Sequence, residues 1–539
     1  RGNARGFLRT TTDEHEKRKN SEGRDGNFHA ENVTGSDWYP RYVLKGVLVG
    51  LAVLGFASSH AAPNILLIVS DDHARAAISA YGSPHIQTPH IDQLAREGVR
   101  FDRHYTPNPL CAPSRAAILT GKHAHINGHR DNTTTFDGDQ PTFPKALQAA
   151  GYETAVIGKW HLQSDPTGFD DFDVLPGQGA YYDPVFITRE GRTTTPGYVT
   201  EIITEKSLAW LRQPRSKPFF LMVGHKAPHR NFIPSPSTWS LFLDKTYAEP
   251  PTLRTDYAGL NSMAPQVSMR IDRHMRLQED LMVQYAPPAL EGDRLAQWQA
   301  AWATQDQAYA AQLEASNDLL ATNYQRYLRN YMRCVKSVDD GVGALLDELR
   351  RTGQDKNTVV IYTSDQGFFL GENGWYDKRW FYEPSAGTPL IMRRPGLRPA
   401  VATALTSNVD LAPTILEAAG VAVPADMQGR SLWPVTQRPT DLTNRNLTYG
   451  HFYESDDPDH RVPRWVGIAT QRNKLIYYYD LKEWELFDVV ADPYEQKNLW
   501  SLGPNATRAE LTRKLVAEMR RLKEDPDLIF QVNLAISRG

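Results

Sequence analysis

The chain has 539 residues and a mass of 60.8 kDa, more than one ordinary domain holds. Apolar residues make up 40% and charged residues 23%, which excludes fibrous and wholly disordered classes; 60 Lys+Arg against 63 Asp+Glu leave a net charge of −3, without the basic excess that nucleic acid demands. Two cysteines, Cys111 and Cys334, exclude a disulfide scaffold and a cysteine-rich zinc module.

Residues 1–42 are polar and charged, lack apolar periodicity and read as disordered. Residues 43–61 read as a signal peptide. Arg41 and Lys45 precede the apolar run Gly46–Ala57, and Ser59 and Ala61 are the small residues at −3 and −1 of a cut after Ala61. Twelve apolar residues are too few for a stable membrane span. No Met precedes the run, so residues 1–42 also read as an over-extension upstream of a start at Val43 or Leu44. The expected outcome is export, to the periplasm or the medium.

A catalytic α/β region is expected over 62–440. It opens with a buried strand, Asn64–Val69, because a continuous apolar run suits a strand covered on both faces. Thr88 and Pro89 open a helix that runs to Gly98. Further buried strands are expected at Thr154–Ile157, Phe219–Val223, Val359–Thr363 and Pro389–Met392, with helices at Val199–Leu211 and Tyr324–Leu349. This alternation predicts a large, mostly parallel sheet sandwiched by helices. Residues 231–325 form a long insertion, partly helical near its end. Residues 441–539 read as a smaller α+β subdomain: short strands at Val466–Ala469, Lys474–Tyr479 and Glu485–Val489 make an antiparallel sheet, with a helix at Arg508–Lys523.

Ligands of open α/β sheets bind beyond the carboxyl ends of strands. Polar groups stand at four of those ends: Asp71-Asp72, Asp365-Gln366, Lys159 with His161, and His225 with His229. Three carboxylates and an amide make an all-oxygen set suited to a hard cation, Ca²⁺ or Mg²⁺. Cys111-Ala112-Pro113-Ser114-Arg115 opens another helix, whose free N–H groups and Arg115 suit a tetrahedral oxyanion.

That segment, continuing through Leu119-Thr120-Gly121, resembles the C-x-P-S-R-x-x-x-L-T-G signature of the type I sulfatases, formylglycine-dependent members of the alkaline phosphatase superfamily. The resemblance covers roughly residues 63–500. It implies an alkaline-phosphatase-like fold, a formylglycine-generating enzyme as maturation partner, and Cys111 oxidised to Cα-formylglycine. It further implies metal ligation by Asp71, Asp72, Asp365, Gln366 and the modified Cys111. Gln366 stands where many members have Asn or His. Lys159, His161, His229 and Lys378 resemble the family's active-site lysines and histidines. Those roles imply attack on sulfur by a formylglycine hydrate. Arg115, Lys159 and Lys378 would offset charge, His229 would protonate the leaving oxygen, and His161 would take the proton that releases sulfate.

The stretch from Ser364 to Glu383 is similar to polysaccharide-active bacterial members, so the expected substrate is a sulfated carbohydrate. Tyr181, Tyr182, His225, His451 and Arg464 are candidate sugar contacts, and His123, His125 and His129 are surface or supporting residues. Two alternatives stay open: a phosphodiesterase or phosphonate monoester hydrolase of the same superfamily, and a non-catalytic carbohydrate-binding relative.

Overall fold

The computed structural model describes residues 62–442, 445–455 and 457–538. The expected disordered tail (1–42) and the expected signal segment (43–61) lie outside the described residues. Among the described residues no helix is long and apolar enough to cross a membrane.

A ten-stranded sheet carries the molecule. Its central strands are Thr358–Ser364, Asn64–Ser70, Phe219–Gly224, Glu153–Lys159 and Asp171–Leu175, all parallel and in that spatial order. Leu390–Arg393 joins antiparallel to Thr358–Ser364, and a hairpin of Val185–Thr188 and Gly191–Thr194 closes the opposite edge. The strand period of two divides the apolar runs between the faces. Leu66, Ile68, Leu221 and Val223 face the helices Val199–Leu211 and Leu319–Arg351. Ile65, Leu67, Val69, Phe220 and Met222 face the helices Cys111–Thr120, Phe143–Ala149 and Leu411–Ala418. These side chains are fully or almost fully buried.

The register sets the site. Ser70 pairs with Ser364, Val69 with Gly224, and Gly158 with Gly224, so four strands end at one level. Asp71, Asp365, Lys159 and His225 therefore emerge together.

The C-terminal part is a four-stranded antiparallel meander of Thr448–Phe452, Trp465–Ala469, Asn473–Tyr478 and Glu483–Asp488. One face packs on two helices, Ala506–Arg521 and Pro526–Arg538, through Val466, Ile468, Leu515 and Met519. The other sends Phe452, Trp465, Tyr478 and Phe487 into the main core against Trp380 and Phe381. The strand Thr448–Phe452 and the second helix add to the expected elements.

In the insertion a 25-residue helix, Gly292–Ser316, precedes the long helix, and residues 231–291 are largely irregular. Polar pairs tie the irregular part down: Arg230 to Asp280, and the Asn261 N–H to Glu485 at 2.6 Å.

Candidate active site

Asp72 follows the first strand in a left-handed turn, φ 65°. Its N–H donates to Asp365 Oδ1 at 3.2 Å, and its carbonyl accepts Tyr331 OH at 2.5 Å. Gly158 has φ 102°, and a Cβ there would collide with the Gly224 carbonyl; only glycine lets the two strand ends close beside Lys159. Cys111 is the first residue of its helix and is fully buried.

Each predicted carboxylate holds a predicted cation. Lys159 Nζ pairs with Asp71 and also reaches Gln178 Oε1 at 2.5 Å. Lys378 Nζ lies 2.7 Å from both oxygens of Asp72 and 3.3 Å from Cys111 Sγ. Arg115 grips Asp365 Oδ2 through Nε at 2.9 Å and donates to the Lys159 carbonyl at 2.8 Å. Gln366 Nε2 contacts Asp72 at 2.5 Å and Cys111 Sγ at 3.5 Å. His229 Nε2 faces Asp72 at 3.7 Å, while its Nδ1 donates to the Arg230 carbonyl at 2.5 Å. His161 sits at φ 58°, buried, its Nδ1 without a partner among the described residues.

These contacts divide the charge unevenly. Burial would raise the Asp71 carboxyl, but Lys159, His229, Arg115 and Lys378 hold it well below the usual range. Burial pushes Asp72 up to about 6 and Asp365 up to about 7, the Asp71 charge adding to both. The Cys111 thiol is pushed up to about 12 by burial, only partly offset by Lys378. An unmodified thiol there is protonated at neutral pH and makes a poor nucleophile.

Asp71, Asp72 and Asp365 bring one oxygen each within 4.8 Å of one another. Among the described residues, Asp71 Oδ1 and Gln366 Oε1 are buried without hydrogen-bond partners. Orphaned buried oxygens among crowded carboxylates fit a hard divalent cation.

Beside this centre lies a cavity of about 510 Å³. His229, Lys226 and Gln178 form its inner wall; Arg230, His274, Arg276 and Tyr376 form its sides; Asp459 and His460 close it from the C-terminal part. Asp377, which precedes Lys378, faces His460 at 3.3 Å and is itself held by Arg379, on the other side of Lys378, at 2.6 Å. Burial and the Lys159 charge lower the Lys226 ammonium to about 7.

Several expectations are corrected. The helix has fewer free N–H groups for an oxyanion than expected: Ala112 N–H donates to Asn132, Pro113 has none, and Ser114 N–H donates to Leu110, which leaves the N–H of Cys111 itself. His225 is fully buried, and a Cβ on Gly341 of the long helix would lie 3.4 Å from its ring, so it faces the core. Tyr181 commits its hydroxyl to the His229 carbonyl, and Tyr182 commits its own to the Pro234 carbonyl at 2.8 Å. Both rings pack on Tyr198, so the pair builds the wall behind His229 and presents no sugar platform. His451 spends both ring nitrogens, on Glu524 at 3.0 Å and Tyr479 at 3.2 Å. Arg464 is held by Asp480 at 2.6 Å, which cancels its charge. Of the two roles expected for His123, His125 and His129, surface or supporting, burial removes the surface role for His123 and His129, while His125 pairs with Glu524 at 3.1 Å.

Sequence reasoning missed Lys226, Arg230, His274 and Arg276. Arg230 beside His229, and the Asp377 and Arg379 that flank Lys378, were available as neighbours of motif residues. His274, Arg276 and Asp280 lie in irregular chain that carries no periodic signal.

The sulfatase family model matches residues 63–421, and the model for the C-terminal part of N-sulphoglucosamine sulphohydrolase matches residues 371–525. N-acetylglucosamine-6-O-sulfatase of Bacteroides thetaiotaomicron is 42% identical over 488 residues, covering 86% of this chain and 87% of that protein. A solved structure of a protein in complex with its substrate D-glucosamine-2-N,6-O-disulfate is 42% identical with TM-score 0.83, covering 86% and 99%. Phosphonate monoester hydrolase of Agrobacterium radiobacter shares the fold alone, at 19% identity and TM-score 0.63 over 86% and 95%.

Proposed function

The chain belongs to the sulfatase family, whose members are sulfuric ester hydrolases, and on that premise we propose that it removes the 6-O-sulfate of an N-substituted glucosamine, within the breakdown of a sulfated polysaccharide outside the cytoplasm. One observation carries the reading: Cys111 Sγ lies 3.3 Å from the same Lys378 ammonium that spans Asp72, beside a cavity sized for a sugar. The 42% identity to an N-acetylglucosamine-6-O-sulfatase across 86% of the chain supports the substrate class.

In this reading Cys111 is carried as Cα-formylglycine, installed by a formylglycine-generating enzyme, and supplies the nucleophilic oxygen. A divalent cation, Ca²⁺ or Mg²⁺, would be held by Asp71, Asp72, Asp365 and Gln366 and would polarise the sulfate oxygens.

The remaining work falls to side chains. Lys378, held by Asp72, and Lys159, held by Asp71 and Gln178, offset charge gathering on the sulfate oxygens. Arg115 acts from behind, fixing Asp365 and the backbone of Lys159. His229 is aimed by its Nδ1–H bond to the Arg230 carbonyl, which leaves Nε2 facing the centre; once protonated there, the imidazolium would pass that Nε2 proton to the leaving sugar oxygen. His161, buried with a free Nδ1, takes the proton that lets sulfate depart.

The test is sulfate release by protein co-produced with a formylglycine-generating enzyme. N-acetylglucosamine 6-O-sulfate should be desulfated, and an aryl phosphate diester should turn over far more slowly. No sulfate release alongside ready turnover of the diester would favour the phosphonate hydrolase reading instead.

A further inference from the structure

Among the described residues, the basic side chains lining the 510 Å³ cavity are met directly by counter-charge or hydrogen bonding in every case but one. Arg230 is bidentate to Asp280 at 2.7 Å, and Arg276 reaches the same carboxylate at 3.2 Å. His460 lies 2.6 Å from Asp457 and 3.3 Å from Asp377. His274 Nδ1 accepts the Arg270 N–H at 3.2 Å. Lys226 is 4% exposed, and among the described residues its ammonium makes no ion pair and no hydrogen bond. The Nζ stands 4.7 Å above the Tyr181 ring, which is pinned by its own hydroxyl to His229.

The Asp71 and Asp72 carboxylates act on Lys226 only through space, without contacting it. A buried cation without a direct counter-ion is costly, and an anion brought beside it in a poorly solvated wall would offset that cost. The ester being cleaved has its own cations: Lys159, Lys378 and Arg115 gather around Cys111 and do not line the cavity. We propose that Lys226 is a specificity-determining residue that binds a second anionic substituent of the substrate sugar, such as an N-sulfate, next to the sulfate ester that is hydrolysed. The inference rests on the sulfated-glucosamine reading and deepens it.

The experiment compares kcat/KM for glucosamine N-sulfate 6-O-sulfate and for N-acetylglucosamine 6-O-sulfate in wild type, Lys226→Met and Lys226→Arg. The ratio of the two should fall roughly 10- to 100-fold in Lys226→Met, the worth of one charge-assisted contact. The fall should appear mainly in KM, and Lys226→Arg should restore most of it. Lys226→Gln replaces Lys226→Met should that variant fail to fold. An unchanged ratio overturns the proposal whatever happens to the absolute rates, because a loss shared by both sugars marks a packing role or a role at the reacting sulfate. Sulfate release from neither sugar by wild type would defeat the substrate reading itself. Calorimetry with the disulfated sugar on Cys111→Ala and Cys111→Ala/Lys226→Met proteins then decides the matter, equal or absent binding overturning the role of Lys226.

Discussion

Lys378 Nζ sits 2.7 Å from each carboxylate oxygen of Asp72 and 3.3 Å from Cys111 Sγ. One ammonium therefore touches both a metal-ligand candidate and the atom that the modification would replace. Burial would depress its pKa, but the Asp72 carboxylate, with Asp377, raises it above the usual ammonium value, which keeps the charge at working pH. Lys378→Met removes a preorganised charge and should lower kcat by about 10²-fold or more. Steady-state rates on the 6-O-sulfated sugar check this; a loss under about threefold would remove Lys378 from the chemistry.

Variants at position 111 separate nucleophile from scaffold. Cys111→Ala leaves the buried helix start intact and should abolish turnover. Cys111→Ser offers one hydroxyl without the second that frees the sulfate, and should stall after attack. Sustained wild-type turnover by either variant would contradict the formylglycine reading.

Removal of the cation should expose a pH dependence. Asp72 and Asp365 are raised from 3.8 to about 6 and about 7, first by burial and then, against the pull of nearby cations, by the Asp71 charge. A raised folded value means that the native state binds protons more tightly than the unfolded chain. That stabilisation is complete below about pH 4 and is lost as pH rises through about 6 to 7. Asp71 is held low, so its stabilisation disappears only on acidification and does not compensate in this window. Chelated protein should lose thermal stability between about pH 5 and about pH 8, and Ca²⁺ should restore most at the alkaline end. A chelated melting temperature that rises across the window would contradict the site.

Glu524 joins the last helices to the catalytic part. It accepts Tyr449 OH at 2.8 Å, His451 Nδ1 at 3.0 Å and His125 Nδ1 at 3.1 Å. Burial would raise it, but His451, His125 and Tyr449 hold it at about 2. Its contribution is present above about pH 4.5 and lost as pH falls toward 2. Glu524→Ala breaks this buried network and should cost about 3 kcal/mol by denaturant titration at neutral pH. A cost under about 0.5 kcal/mol would show that the network is solvated rather than structural.

Much of the site was legible because it hangs on strand ends. Buried apolar runs locate Asp71 and Asp365, and the register of Ser70 with Ser364 then makes them neighbours. Charge pairing across the chain was not legible. Arg464 looked like a sugar contact until Asp480, sixteen residues on, proved to hold it. Tyr181 and Tyr182 carry the composition of a sugar platform, and only their hydroxyl partners reveal them as a wall. His225 follows the same strand as His229, yet its ring turns into the core against Gly341. Close to Arg464 in sequence, His460 lines the cavity while Arg464 is held by Asp480. In the insertion, Asp280 gathers Arg230 and Arg276 from chain with no regular spacing, so only the folded contacts bring them forward.

The most direct test is the mass of the Cys111 peptide from active, co-matured protein. The account predicts a peptide lighter than the cysteine form by the difference between a thiol-bearing methylene and an aldehyde, trapped by a carbonyl-reactive probe, with the aldehyde fraction tracking specific activity. An unmodified thiol at Cys111 in protein that still releases sulfate would contradict it.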